Sequence, residues 1–505
     1  MSPLWIGLLV VVVAALVFLS LLLFLGRSRH LARSRSARLA HLGRLSARLW
    51  TSWLGATLRR LFAGPERRVR IDEARRKADA ARITETMGHM KGAFMKLGQM
   101  MSFINEDIPE EYRAALASLQ AQAPPMDFAL LRDVAERELG KPLERAFASF
   151  DDQPIAAASI GQVHRAVLPT GEEVVVKIQY PGVAEAIRHD LANAEVLYRA
   201  IMLFYPGVEP APIVDELRSR IMEELDYENE LRSQAAFHSI YGDHPFIRVP
   251  RVYPSHSSPR VLTSEYIAGR RFQEVVGDDD DARARYAEII YRFVFGSIIR
   301  FGVFNGDPHP GNYLFDDQGR VAFLDYGCVK YFDEALLGEW TALVSAHLGG
   351  DRDAFKALLL RLNFFRDAGA IDADTIYEYF GHFYEPFRSD RDFRFSHQYT
   401  ASTFRLVFRP EGRFAGLEKH LNMPKDFVFV NRIQWGVYAI LTQLNGHGNF
   451  HRIDSEYRLG RPPSTPLGEA DARHHAAWRE RHQFPGGKFT LTRDGARVRA
   501  PFALP

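Results

Sequence analysis

The sequence predicts an α+β protein of two lobes, a small one built on antiparallel strands and a larger helical one. Three observations carry this. Apolar residues alternate on either side of a Thr-Gly-Glu-Glu turn, in I-A-A-A-S-I-G-Q-V-H-R-A-V-L at 155–168 and V-V-V-K-I-Q-Y at 174–180, the pattern of strands joined by a hairpin. Helical periodicity dominates from 282 onward, from A-R-A-R-Y-A-E-I-I-Y-R-F to R-I-Q-W-G-V-Y-A-I-L-T-Q-L-N at 432–445. Within that helical part sits a Pro- and Gly-rich stretch, F-N-G-D-P-H-P-G-N-Y-L-F-D-D-Q-G-R-V-A-F-L-D-Y-G-C-V-K, from Phe304 to Lys330.

The chain has 505 residues, 47% of them hydrophobic, enough for more than one lobe and for most of it to fold. A net charge of +2 gives no general case for nucleic acid as a partner. A single cysteine, Cys328, excludes a disulfide within the chain and points to a reducing compartment. The eighteen histidines show no metal-ligand spacing.

Taken in order, Leu4 to Leu25 is a run of 22 residues without charge. Such a run is long enough to cross the ~30 Å of a bilayer's hydrocarbon core, and no Ala-x-Ala cleavage site follows it. Residues 1–26 are therefore expected to form an uncleaved N-terminal transmembrane helix. Arg27, Arg29, Arg33, Arg35, Arg38, Arg44, Arg48, Arg59 and Arg60 all precede the first acidic residue, Glu66. Positive charge stays inside, so the expectation is a single-pass protein of the inner (cytoplasmic) membrane, with its N-terminus outside and its body in the cytoplasm. Residues 27–82 begin by interleaving Leu and Trp with Arg, as a basic amphipathic helix on an anionic lipid surface does. Residues 83–126 read as a helical extension carrying Lys96-Leu97-Gly98-Gln99 and ending at Pro124-Pro125.

Residues 127–268 read as the small lobe. A helix and connector occupy 127–150, and Ala156-Ala157-Ala158-Ser159 stands before the next strand, where protein kinases place a Gly-rich loop over nucleotide phosphates. Alanine's Cβ leaves that backbone less free to wrap closely. Lys177 ends a run of three valines, the place of the kinase strand lysine. Helices follow at 183–208 and 213–232, the second acidic, with Glu224, Asp226 and Glu230. On one continuous helix Glu224 and Glu230 are about 600° apart and face different ways, so they cannot both pair with Lys177. R-V-P-R-V-Y at 248–253 and R-V-L-T-S-E-Y-I-A-G at 260–269 read as the last strands of this lobe.

Residues 269–460 read as the large lobe and 461–505 as a tail rich in Pro, Gly, Arg and His. The segment from Phe304 holds two carboxylates and an amide: Asp307, Asn312 five residues later, and Asp325 after a short apolar run and before a Tyr-Gly turn. Protein kinases use the same grammar. Mg²⁺ takes hard oxygen ligands, which Asn312 and Asp325 supply, and Asp307 is placed to orient or deprotonate a nucleophile.

G-D-P-H-P-G-N at 306–312 resembles the catalytic loop of the UbiB/AarF atypical kinase-like ATPases. K-x-G-Q at 96–99, the Ala-rich loop, the strand lysine and E-L-D-Y-E-N-E at 224–230 occur in the same order as in that family. The resemblance covers roughly residues 85–350. It implies a two-lobed protein-kinase-like fold with a K-x-G-Q extension over the site where a protein substrate would bind, so that protein kinase activity is suppressed. It implies ATP and Mg²⁺ as cofactors and ATPase activity. Residue by residue, it implies that Lys96 and Gln99 point into the active site and that Lys177 meets the phosphates with Glu230 as its helix partner. Glu224 and Asp226 become the pair facing the extension, and backbone from Glu265 to Ile267 holds adenine. It points to isoprenoid-quinone (ubiquinone) biosynthesis or membrane lipid homeostasis, with membrane lipids, quinone precursors or their biosynthetic enzymes as partners. Two other activities fit the same residues: phosphorylation of a small molecule or lipid head group, and nucleotide binding by a scaffold without turnover. Well-known bacterial members carry C-terminal membrane helices, whereas the apolar run here is N-terminal.

Overall fold

The computed structural model describes residues 126–500 with interruptions at 159, 193–221, 307, 333, 366–371, 409–413, 416, 418–419, 421–424, 483–487 and 492–496. Before them it describes Arg59, Gly64, Arg67, Arg68 and Ile71. The chain divides into two compact units, and the fold described here belongs to the unit holding Gly92–Ile108 and Gln120–Pro505.

The small lobe begins with α1 (Phe128–Leu139). The Asp127 carboxylate caps it by accepting from Ala129 N, and Gly140 ends it at φ 67°, a left-handed turn that glycine adopts without strain. After α2 (Leu143–Ala146) come β1 (Ser149–Ala157), β2 (Gly161–Val167) and β3 (Glu173–Gln179), then α3 (Val183–Ala192), α4 (Tyr227–Tyr241), β4 (Ile247–Arg248) and β5 (Val261–Glu265). The sheet runs β1-β2-β3-β5, antiparallel throughout. Its inner face (Val174, Val176, Ile178, Val261) packs on Leu131 and Val134 of α1 and on Phe147. Of the two strands read at 248–253 and 260–269, only the second joins this sheet along its length. β4 instead pairs in parallel with the large lobe at Ile247↔Val321 and Arg248↔Ala322.

The large lobe starts with β6 (Arg270–Arg271), α5 (Phe272–Val275) and α6 (Asp280–Phe301). In the acidic run at 278–281 the Asp279 carboxylate caps α6 through Ala282 N. The short strands β7 (Val303–Asn305), β8 (Tyr313–Phe315), β9 (Val321–Phe323) and β10 (Val329–Tyr331) follow, with a second sheet ordered β4-β9-β8-β6 and a separate β7–β10 pair. Then come α7 (Glu334–Leu348), α8 (Arg352–Arg361), α9 (Ala373–Arg388), β11 (Phe393–Arg394), α10 (His397–Phe408), α11 (Lys425–Gln443), β12 (His447–Gly448), α12 (Phe450–Arg458) and α13 (Pro466–Arg481). The strands β13 (Lys488–Leu491) and β14 (Arg497–Ala500) pair antiparallel.

One large aromatic core unites this lobe around α6, and it includes Phe237, Ile240 and Tyr241 from the C-terminal half of α4. Residues 466–481, read from sequence as part of a tail, form α13 and are bound to α6 by charge. Arg300 Nη1 meets Asp471 Oδ2 at 2.8 Å. Arg292, fully buried, reaches Glu288 and Glu456 at 2.7 Å each and Thr465 at 3.1 Å.

The membrane expectations need correction. Among the described residues no helix is long and apolar enough to cross a membrane. The longest helices show why: α6 opens with Asp280, Asp281, Arg283 and Arg285, and α11 carries Lys425, Asp426 and Arg432. The expected span at residues 1–26 and the basic segment at 27–82 lie outside the described residues or almost entirely so. The fold class stands as α+β with two lobes and, among the described residues, without a transmembrane helix, and the single-pass, inner-membrane placement is withdrawn with it.

Candidate active site

The site forms where β3, the start of α4 and the segment after β9 meet. Lys177 projects from the middle of β3, where its neighbours across the sheet are Val163 and Leu262. Its ammonium donates to both carboxylate oxygens of Glu230 at 2.9 Å each. Asp325 Oδ2 stands 3.6 Å from the same nitrogen. The Glu230 side chain is only 3% exposed and that of Lys177 18%, so the pair is largely withdrawn from water. Burial works against the Lys177 charge, but Asp325 and Glu230 outweigh it and hold the ammonium well above the usual lysine range. Burial pushes the Glu230 carboxyl up to about 7, against the pull of Lys177.

Two segments of the Pro/Gly-rich stretch are stitched to each other. Leu324 N donates to the Asn312 carbonyl at 3.0 Å, and Gly306 N donates to the Cys328 carbonyl at 2.6 Å. Asn305 Nδ2 donates to the Asp325 carbonyl, and Asp325 Oδ1 accepts from Gly327 N at 2.9 Å. Asn312 ends a short 3-10 turn, Pro310–Asn312, in which His309 Nδ1 accepts from Gly311 N at 3.1 Å.

The remaining sequence-derived residues fall in different places. Ala156 and Ala157 end β1 opposite Val163 and Gln162, and Ala158 N closes the turn on the Gly161 carbonyl at 2.8 Å. Asp226 caps α4, its carboxylate accepting from Glu228 N and Asn229 N. The rotation argument that set Glu224 apart from Glu230 assumes one continuous helix. The chain instead turns at Leu225 and restarts at Asp226, so Glu224 comes back to the same corner. A Cβ placed on Gly327 would lie 3.3 Å from Asp325 Oδ1, 3.5 Å from Glu230 Oε2 and 3.8 Å from Glu224 Cγ. The Glu265 carboxylate accepts from Arg248 at 2.9 Å and from Arg251 N at 3.1 Å, turning back toward β4, while Ile267 is buried. Lys96, Gln99, Ser159 and Asp307 lie outside the described residues.

One participant was passed over in the sequence. Tyr227 is fully buried, and its ring lies 4.9 Å from Lys177 Nζ, a cation–π contact. Its hydroxyl is buried without a hydrogen-bond partner among the described residues. The signal was its place between Asp226 and Glu230.

The donor set fits a magnesium-bound polyphosphate. One ammonium stands between two carboxylates, Glu230 and Asp325, beside a glycine whose missing side chain leaves space, with Glu224 Cγ at its edge. Among the described residues no group of three or more His, Cys, Asp or Glu is placed to hold a metal by itself, so phosphate oxygens have to complete the set. Such a corner gains from an added divalent cation, and oxygen is the ligand Mg²⁺ prefers.

A β-sheet lobe presenting a lysine–glutamate pair, joined to a helical lobe that presents an Asn and an Asp on adjacent turns, defines a kinase-like protein. A family model described as the ABC1 atypical kinase-like domain matches residues 118–359. The chain belongs to the UbiB/ABC1/AarF-like atypical kinase family. It is 37% identical over 265 residues to Protein ACTIVITY OF BC1 COMPLEX KINASE 8, chloroplastic, of Arabidopsis thaliana, covering 50% of this chain and 34% of that protein. It is 32% identical to the rat Atypical kinase COQ8B, mitochondrial, covering 65% of this chain and 62% of that one. The chain thus spans between a third and two thirds of these relatives' length. The solved complex of Rv3197 with erythromycin from Mycobacterium tuberculosis is similar at 30% identity and a TM-score of 0.55, over 75% of this chain and 95% of that one.

Proposed function

We propose that the protein binds Mg-ATP and hydrolyses it, and that this turnover serves isoprenoid-quinone biosynthesis. The observation that supports the reading is the Lys177 ammonium held between Glu230 and Asp325 in a largely buried corner. Lys177 takes the α- and β-phosphates, with Glu230 fixing its direction. Asn312 and Asp325 hold Mg²⁺, which when bound offsets charge on the phosphate oxygens. Asp307 orients the attacking water and accepts its proton. The Ala156–Ser159 turn and the backbone from Glu265 to Ile267 flank the nucleotide. Lys96 and Gln99, with Glu224 and Asp226, keep protein substrates out. The quinone assignment rests on the family resemblance.

Calorimetry with ATP in the presence and absence of Mg²⁺, together with phosphate release, tests this. Wild type should bind ATP in a Mg²⁺-dependent way and release phosphate, and Asp325→Asn should do neither while melting like wild type. Unchanged turnover in Asp325→Asn removes the site. Label passing from γ-phosphate into extracted lipid would make the protein a lipid kinase instead. A quinone inventory of cells carrying only Asp325→Asn tests the biosynthetic role, and a normal inventory would refute it.

A further inference from the structure

The family model ends at residue 359, yet α11, far beyond it, touches the loop on which the proposed chemistry depends. A Cβ built on Gly436 would stand 2.2 Å from Pro308 Cγ, with Pro308 Cβ and Cδ at 3.3 and 3.4 Å. No real side chain tolerates the first distance. Any substitution would have to separate the two by about 1.2 Å to restore the 3.4 Å of ordinary contact.

Which partner would move follows from what holds each. On the helix, Val437, Tyr438, Ile440 and Leu441 are all buried. Gln434 Nε2 and the Tyr438 hydroxyl both donate to the Phe383 carbonyl, at 2.6 and 3.0 Å, one on either side of Gly436 in the chain. The loop has room to give: Pro308 and Asn312 border a small pocket that Phe293 and Phe323 also line. The helix is the fixed body and the loop the one that yields. Pro308 follows Asp307 in the chain and precedes Asn312 by four residues.

We infer that Gly436 is a positioning residue: its bare Cα lets Pro308 seat against α11 and so sets the catalytic loop. This rests on the functional reading above. Displacing the loop by an ångström costs chemistry more than binding, because Lys177 and Glu230 belong to other elements.

The test is a cycle of Gly436→Ala, Pro308→Ala and the double variant, measuring kcat for ATP hydrolysis and Kd for Mg-ATP. Gly436→Ala should lower kcat about a hundredfold and raise Kd by a clearly smaller factor, since Asn312 travels with the loop while Lys177, Glu230 and Asp325 stay on other segments. Alanine is the better helix former, so the helix itself does not suffer. With Pro308→Ala the clashing Cγ is gone, and adding Gly436→Ala should then change kcat little. Gly338→Ala is the control, since a Cβ there meets nothing within 4 Å. Unchanged kcat in Gly436→Ala overturns the inference, as does the same loss in both backgrounds. If Gly436→Ala does not fold, a double variant that also fails to fold counts against the contact, because removing Cγ should restore it. An inactive wild type removes the functional reading and this inference together, whereas active wild type with active Gly436→Ala removes the inference alone.

Discussion

Lys177 and Glu230, 53 residues apart in the chain, meet through two hydrogen bonds of 2.9 Å each. Removing one partner of a buried pair leaves the other charge uncompensated, whereas removing both does not. Glu230→Ala should therefore destabilise the protein by ~3 kcal/mol, and Lys177→Met with Glu230→Ala by less than Glu230→Ala alone. Urea denaturation of Lys177→Met, Glu230→Ala and the double variant checks this. A double variant that loses the sum of the single losses would show that the two side chains do not act as a pair.

Tyr227 underlies the Lys177 ammonium at 4.9 Å. Its ring supplies the attraction, and its hydroxyl is buried without a hydrogen-bond partner among the described residues. Tyr227→Phe should keep the Mg-ATP affinity of wild type and be no less stable. Tyr227→Leu should weaken binding about tenfold, the ~1–2 kcal/mol of a desolvated cation–π contact. Equal affinity in Phe and Leu variants, read by calorimetry, would show that the ring does not hold the lysine.

His347 is fully buried, with Nε2 donating to the Tyr377 carbonyl at 2.9 Å and the ring stacked on Tyr377 at 4.0 Å. Burial pushes its pKa down to about 4. The unfolded chain takes up this proton near pH 6.5 and the folded one only near 4, so stability falls as pH drops through that window. The full loss is ~3 kcal/mol. Denaturation midpoints at pH 7 and pH 4.5 should differ less in His347→Gln than in wild type. An identical difference would assign the acid sensitivity to other groups.

Arg292 is fully buried among Glu288, Glu456 and Thr465. Arg292→Leu strands two acids and should cost ~3–5 kcal/mol. Arg292→Lys should recover little of it, because a single ammonium cannot reproduce the forked contacts. Thermal melting distinguishes the two; a Leu variant as stable as wild type would show that the network is dispensable.

The strands around Lys177 and the helices after 282 were legible because their apolar periods are regular and local. The corner where Glu224 returns toward Gly327 was not. It depends on a helix interrupted at Leu225, and the polar run E-E-L-D-Y-E-N-E continues the helical pattern straight through the break. The Asp226 carboxylate, read as a site residue, also serves as the cap that restarts the helix. α13 escaped notice because it is held by Arg300, Asp471 and Trp478 rather than by a continuous apolar stripe. Such contacts leave no period in the sequence. The closeness of Gly436 and Pro308 was equally silent, since a glycine in a helix reads as a weak spot unless its neighbour in space is known.

The helix that presents Glu230 ends inside the other lobe's core, where Phe237 packs on Phe293 and Tyr326 at 5.6 and 5.0 Å. Protein kinases commonly turn themselves off by swinging that helix outward. Here an outward swing would drag three large side chains out of a close-packed interior, so the ion pair is a permanent fixture rather than a switch. Control over the proposed turnover would then act on what reaches the pocket, not on whether the pocket is assembled.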